Sequence, residues 1–427
     1  MSAIAKSEAV RAALPEGLAD QVLSPALLVV LDAVRHNIDT VLDRLGSEPD
    51  RWRPHLKTTK LPVVWKELIA AGIRSFKCAT TREAAVLIDH ARQRGLHDLD
   101  LLVAYPHRGP NLDRVRRLAA ESHEVQLSVL CEDPNLAEEA SHSLGMEAGD
   151  ARRPAGESRR GRPRAGHSLG IFIDLNPGMN RTGVPLEDRD TIEHIARLAS
   201  RAVHTGGRPG IAGAAENRFR GLHFYDGHIR TADAAARAEQ VHAGLARLVE
   251  LVEWLRSRGI EVPEVITSGT PGFLEAASFQ SLSEVTRHRV SPGTVVFHDE
   301  MTRELLPDLD LQPAAMVLAR VVSHPVDDIV TCDAGSKSIA AEAGDPCCRV
   351  LDHPELTALK PSEEHLPLRI APGAKAPARG EALLLIPRHV CPTVNLADEA
   401  IIIENGEVRS IEPVAARGHE VSLDSAG

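Results

Sequence analysis

The residues that could do chemistry cluster first around Lys57, in Arg53-Pro54-His55-Leu56-Lys57-Thr58-Thr59-Lys60. Pro54 disfavours helix at Arg53 and biases it to extended structure. Leu61-Pro62 opens a helical pattern through Val63, Val64, Leu68 and Ile69. Lys57 is therefore expected near the end of a short strand, just before a helix, where parallel α/β proteins collect catalytic groups. Its amine could form a Schiff base, with Lys60 helping to hold its pKa down. On these residues alone, a solvated loop lysine is the plainer reading.

Four further stretches carry chemistry of a definite kind. Ser268-Gly269-Thr270-Pro271-Gly272 offers small residues and free backbone N–H groups that suit a phosphate, although most such loops are merely turns. Asp174-Leu-Asn-Pro-Gly-Met-Asn-Arg181-Thr-Gly183 brings an arginine to a strand end, where it can hold a carboxylate or phenolate. His223-Phe-Tyr225-Asp-Gly-His228 brings a tyrosine that could face a bound ring, or equally pack with its hydroxyl satisfied. His389-Val-Cys391 pairs an imidazole with a thiol, donors that suit zinc. In extended structure these two would face the same side. Two ligands are too few for a closed structural site, so positions would stay open for water or substrate.

The elements that must position these groups follow from periodicity. Ala26 to Leu31 reads as a buried strand, with Asp32 capping the helix through Val34, Ile38, Val41 and Leu45. Strands are expected to begin near residues 53, 75, 99, 125, 169, 222, 264 and 284, most joined by helices; Thr80-Thr-Arg-Glu83 has capping-box spacing. Eight such strands suggest an α/β fold of the (β/α)8 TIM-barrel type, with an open doubly wound sheet as the alternative. From Ser291-Pro-Gly293 onward long helical patterns disappear. Val295–Phe297, Ala315–Val322, Asp328–Cys332, Ala382–Ile386, Ala400–Ile403 and Val408–Ile411 read as strands of a mostly-β second domain. The expected division is a barrel over 33–291 and a second domain from 1–32 together with 292–427. An insertion at about 145–168, with six arginines among glycines and prolines, reads as solvated and mobile.

Composition narrows the function. The chain has 427 residues, 43% of them hydrophobic, enough for two domains with large cores. A net charge of -11 argues against a general nucleic-acid surface. There is no bilayer-length apolar run and no signal-peptide core. Six scattered cysteines fit a cytoplasmic protein with reduced thiols.

Together, in order, these motifs resemble the fold-type III pyridoxal-phosphate enzymes of the D-threonine aldolase and eukaryotic-type D-serine dehydratase group, distant relatives of alanine racemase. The resemblance implies Lys57 as the Schiff-base lysine and Arg181 beside the phenolic oxygen of pyridoxal 5'-phosphate. It implies Tyr225 near the pyridine ring, Ser268, Gly269 and Thr270 at the phosphate, and His389 and Cys391 as ligands of a divalent metal. Zinc is the first choice, with manganese or magnesium as alternatives. Asp333-Ala-Gly-Ser-Lys337 and Ser362-Glu-Glu-His365 match the family's C-terminal domain. The family often has Lys-Thr-His-Lys where this chain has Lys57-Thr58-Thr59-Lys60, so a histidine able to act as acid or base is missing. The His-x-Cys pair resembles that of the dehydratases. The expected activity is a lyase acting on D-β-hydroxy amino acids, dehydratase-like with loss of ammonia, or alternatively an aldolase yielding glycine and an aldehyde. A racemase and a non-catalytic cofactor carrier are weaker readings. A cytoplasmic homodimer is the expected assembly.

Overall fold

The computed structural model describes residues 11, 13–141, 168–200 and 218–421. Nearly all of the arginine-rich insertion, and most of the loop from Gly206, lie outside them.

Strand β1 (Ala26–Val30) is buried on both faces and feeds directly into the helix Leu31–Arg44. Parallel strands then alternate with helices, as the apolar runs and caps dictate. They are β2 (Ser75–Cys78), β3 (Leu99–Val103), β4 (Val125–Cys131), β5 (Gly170–Asn176), β7 (Phe219–Phe224), β8 (Glu264–Thr267) and β9 (Arg287–Val290), paired in that order. A two-residue β6 (Val184–Pro185) adds to the end of β5. The wall is closed by the segment holding Arg53 and Pro54, through parallel bridges Trp52–Val290 and His55–Lys77. Pro54 has no N–H to donate, so this eighth stave remains a pair of bridges. Its backbone bonds run from Arg53 N to Val290 O (2.9 Å) and from Leu56 N to Lys77 O (2.7 Å). The eight expected strands are thus present, one in reduced form.

Side chains alternate between the inside and outside of the barrel with period two. Leu102, Leu130, Phe172 and Ile266 form an apolar plug inside. On its N-terminal side lie Arg53, Asp100, Glu264 and Arg289; on the other side stand Lys77, Asp174 and His223. Gly221, at φ +141°, lets β7 approach β8: a Cβ there would lie 1.9 Å from Glu264 O.

The second sheet is mostly antiparallel, in the order β13-β14-β11-β10-β1-β16-β17, and β15 pairs with both β10 and β12. Its members after β1 are β10 (Ala315–Val326), β11 (Ile329–Cys332), β12 (Cys348–Val350), β13 (Leu356–Ala358), β14 (Leu366–Ile370), β15 (Ala382–Pro387), β16 (Glu399–Glu404) and β17 (Glu407–Pro413). β1 lies antiparallel to β10 and parallel to β16. The α/β class with a barrel and a mostly-β second region is as expected.

Three local expectations need correction. Val295 and Val296 belong to a 3-10 turn, Thr294–Val296; all three residues from Val295 to Phe297 are buried, so the apolar run is satisfied without strand pairing. Asp32 is not the cap of its helix. Val30 occupies that position, and the Asp32 carboxylate instead accepts from Asn405 N at 2.7 Å. His389 is not in a strand but caps the helix Val390–Leu396, with Cys391 in its first turn. The strands β12, β13 and β14 escaped the sequence pattern because the first two are only three residues long and β14 contains a proline.

Candidate active site

The C-terminal ends of the barrel strands open into two adjoining cavities of about 210 and 380 Å³. His55, Lys57, Arg181 and Tyr225 line both. Lys57 is exposed on the turn that follows the Arg53-Pro54 stave. The turn closes by Thr58 N donating to His55 O and Thr59 N to Leu56 O. The helix beginning at Pro62 then carries the chain away.

Lys60 does not act on Lys57 as expected. Its Nζ is buried and donates to Glu83 Oε1 at 2.7 Å and to Ala416 O at 3.3 Å. Thr80 caps that helix, its Oγ1 accepting from Glu83 N, and Glu83 Oε2 accepts from Ala79 N before the cap. Thr59 likewise points away, accepting from Trp65 Nε1 at 2.8 Å. The amine that does approach Lys57 is Lys77. It is 2% exposed, and its pKa is lowered to about 7, first by burial and then by the charge of Lys57.

Tyr225 stands between the two cavities. The Arg181 guanidinium lies 4.9 Å above its ring and Lys77 Nζ lies 5.3 Å from it. Two glycines make room for this ring: a Cβ at Gly227 would meet it at 2.3 Å, and one at Gly269 at 2.8 Å. That is why both positions in the Tyr-Asp-Gly and Ser-Gly-Thr runs need the smallest residue.

The Ser268–Gly272 loop reaches the smaller cavity through Gly269, Thr270 and Pro271. Ser268 itself does not. It takes the left-handed region at φ +44°, and its hydroxyl donates to Asp226 Oδ2 at 2.8 Å. Asp226 is pushed up to about 6 by burial. Thr270 Oγ1, in contrast, is buried with no hydrogen-bond partner among the described residues.

Opposite this loop, His389 and Cys391 line the same cavity as Lys57. Asp299 sets them in place: its Oδ2 accepts from Val390 N at 3.0 Å, and its Oδ1 is held by Thr302. Glu342 Oε1 lies 2.6 Å from His389 Nδ1, and Thr58 Oγ1 lies 3.1 Å from Cys391 Sγ. Burial opposes a charged His389, but Cys391 and Glu342 outweigh it and raise its pKa to about 9. Burial likewise opposes the Cys391 thiolate, and His389, Lys57 and Thr58 together hold its pKa below the usual value. With Nδ1 occupied by Glu342, Nε2 is the nitrogen left for a ligand. Among the described residues no cluster of three or more acidic, histidine or cysteine side chains could hold a metal.

Comparison with known proteins gives this geometry its family. The alanine racemase N-terminal domain model matches residues 29–300, and the putative serine dehydratase domain model matches 314–403. The chain belongs to the fold-type III pyridoxal-phosphate enzymes. It is 28% identical to the D-threonine aldolase of Arthrobacter sp over 92% of this chain and 93% of that one. It is 26% identical to the D-threo-3-hydroxyaspartate dehydratase of Delftia sp. (strain HT23), over 75% and 73%. The crystal structure of D-threonine aldolase from Filomicrobium marinum superposes with a TM-score of 0.75 at 27% identity, covering 94% of this chain and 97% of that one.

The residues present fit such a cofactor on two structural grounds. Lys57, Arg181 and Lys77 gather cationic groups at one mouth, and the buried Thr270 hydroxyl has no partner there among the described residues. A phosphorylated, phenolate-bearing ring supplies both deficits.

Sequence reading missed Lys77, Asp174, His223, Asp226, Asp299 and Glu342. Signals existed for four of them: Asp174, His223 and Asp226 lie in the stretches already singled out for Arg181 and Tyr225, and Lys77 is a lysine within a short strand pattern, Ser75–Cys78. The others became visible only when separate strands met.

Proposed function

We propose that this chain is a pyridoxal-phosphate- and metal-dependent lyase acting on D-β-hydroxy amino acids. The observation that carries the reading is the shared cavity: Lys57, the Thr270 loop and the His389/Cys391 pair line one wall system. Bound there, the cofactor would accept the electron pair released at Cα. A divalent ion on His389 and Cys391 would act as a Lewis acid toward the substrate hydroxyl; the soft thiolate favours zinc over magnesium, and manganese is the other alternative. The residues' own roles follow from their places. Lys57 tethers the cofactor and, once displaced, is a base within reach of Cα. Arg181 and Tyr225 orient the ring, while Gly269 and Thr270 hold the phosphate. Glu342 and Asp299 fix the metal pair.

Two outcomes share this arrangement: loss of hydroxide, giving an oxo acid and ammonia, and Cα–Cβ cleavage, giving glycine and an aldehyde. Met179, Met301 and Leu305 also line the cavity and form an apolar wall that suits a carbon substituent on Cβ. This favours D-threonine-like substrates over D-serine, and both outcomes are open to such a substrate. Product analysis of the purified holoenzyme with D-threonine and D-serine, with and without zinc or manganese, tests the reading. Glycine and acetaldehyde from D-threonine would establish cleavage, whereas ammonia and 2-oxobutanoate would establish dehydration. Turnover of neither compound would sink the proposal. No described helix is long and apolar enough to cross a membrane. A cytoplasmic homodimer is the proposed assembly, to be checked by light scattering.

A further inference from the structure

The larger cavity contains a buried relay that the tethering chemistry does not use. His223 Nδ1 lies 2.7 Å from Asp174 Oδ1, and His223 Nε2 lies 3.3 Å from Lys77 Nζ. All three residues are at most 4% exposed. A carboxylate at Nδ1 fixes the tautomer, so Nδ1–H donates to Asp174 and Nε2 accepts from Lys77. No carboxylate among the described residues is within ion-pair distance of Lys77. Lys77 and Lys57 line the same 380 Å³ cavity.

We propose that Lys77 is a second acid–base residue of this site, which carries a proton to or from substrate Cα while His223 and Asp174 orient it. The inference rests on the lyase reading above. It addresses a gap in the sequence: the histidine expected after Lys57-Thr58 is absent, and Thr59 faces Trp65 instead of the cavity. In the cleavage direction the β-hydroxyl O–H bond breaks and its proton passes to solvent. Its electron pair forms the aldehyde C=O, and the aldehyde departs without the Cα–Cβ electron pair. The Nζ–H bond of the Lys77 ammonium breaks, a Cα–H bond forms with that pair, and Lys77 is left as a neutral amine to be reprotonated from solvent. In the reverse sense the neutral amine accepts the proton.

The groups facing Lys77 make both forms accessible near neutrality. Burial, Lys57, Arg181 and Arg53 disfavour its charge, and Asp174 favours it. His55 is held well below its usual pKa by burial and the neighbouring lysines, and His223 is lowered by burial and Lys77, so both imidazoles stay neutral. Asp226 and the Tyr225 ring complete the shell.

The test is Cα–H exchange in D2O, followed by proton NMR with holoenzyme and either glycine or D-alanine, which lack a β-hydroxyl. Wild type should exchange with a pH limb near neutrality. Lys77→Met should slow exchange about a hundredfold and abolish that limb, while borohydride still fixes the cofactor on the Lys57 peptide. Lys77→Arg, which keeps the charge but cannot give up its proton, should not rescue. His223→Gln should move the limb, and it decides the matter if Lys77→Met fails to fold. Exchange within twofold of wild type in Lys77→Met, full rescue by Lys77→Arg, or an unmoved limb in His223→Gln would overturn the proposal. Borohydride labelling of Lys77, or of no lysine, would instead overturn the cofactor assignment beneath it.

Discussion

The two ends of the barrel interior are both rich in charge but treat it in opposite ways. At the N-terminal end, Arg53 donates to Glu264 Oε1 (2.9 Å) and Asp100 Oδ1 (2.8 Å), and Arg289 pairs with Glu264 and Asp50. Arg220 completes this group at 2.7 Å from Asp100. Every cation there has its carboxylate. At the C-terminal end, Lys77 contacts an imidazole, Arg181 rests on the Tyr225 ring, and Lys57 is exposed. A paired buried network resists change of partner, because removing one member strands the other in a low dielectric. A cationic mouth without carboxylate partners among the described residues lacks that constraint. One end is built for the fold and the other for a ligand, with the plug of Leu102, Leu130, Phe172 and Ile266 between them.

That contrast can be broken by experiment. The largest effect should come from Lys57→Ala at the mouth: turnover should fall to background and the imine absorbance should vanish, with thermal unfolding little changed. Survival of both signals would remove Lys57 from the chemistry. Next, chelation, or Cys391→Ala, should abolish turnover of D-threonine while the imine spectrum and unfolding stay intact. Elemental analysis checks metal content, and full activity in metal-free protein would eliminate the ion's role.

The floor should respond in the opposite sense. Glu264→Gln should destabilise the protein by about 3–5 kcal/mol in denaturant unfolding, because it weakens two buried charge-assisted pairs at once and leaves Arg53 with Asp100 and Arg289 with Asp50. Its affinity for cofactor should be unchanged once folded. A weakened cofactor affinity without loss of stability would mean the two ends are not separate.

A smaller effect concerns Asp226. Its folded pKa is raised from 3.8 to about 6, so between those values the folded protein holds a proton that the unfolded chain has released. Stability therefore falls as pH rises through this window, by up to about 3 kcal/mol. Unfolding of the apoprotein at several pH values should show this slope, and Asp226→Asn should lack it. The mildest change is Arg181→Met, expected to weaken cofactor binding about tenfold, or ~1.4 kcal/mol, without altering unfolding.

Much of the fold was legible locally. Apolar runs of strand length, the Thr80–Glu83 capping box and the proline-opened helix at Pro62 each depend on residues near in sequence, so they can be read one at a time. The same holds for motifs whose residue types announce themselves, such as the lysine after Arg-Pro-His-Leu and the His-Val-Cys pair. Partners could not be read this way. Lys60 and Lys77 look interchangeable as neighbours of Lys57, yet among the described residues one pairs with Glu83 and the other meets His223 and the Tyr225 ring.

The chain by itself determined the alternation of strands and helices, the second β-rich region and the kinds of side chain available for catalysis, because propensity and periodicity act over a few residues. Tertiary structure alone decided which charges were neutralised. Asp100, Glu264 and Arg53 are far apart in the chain but meet because strands of parallel register bring their inward positions level. The same register sets Lys77, Asp174 and His223 together and leaves Lys77 without an ion-paired carboxylate among the described residues. Whether a buried charge is satisfied depends on distance in space, which sequence separation does not report.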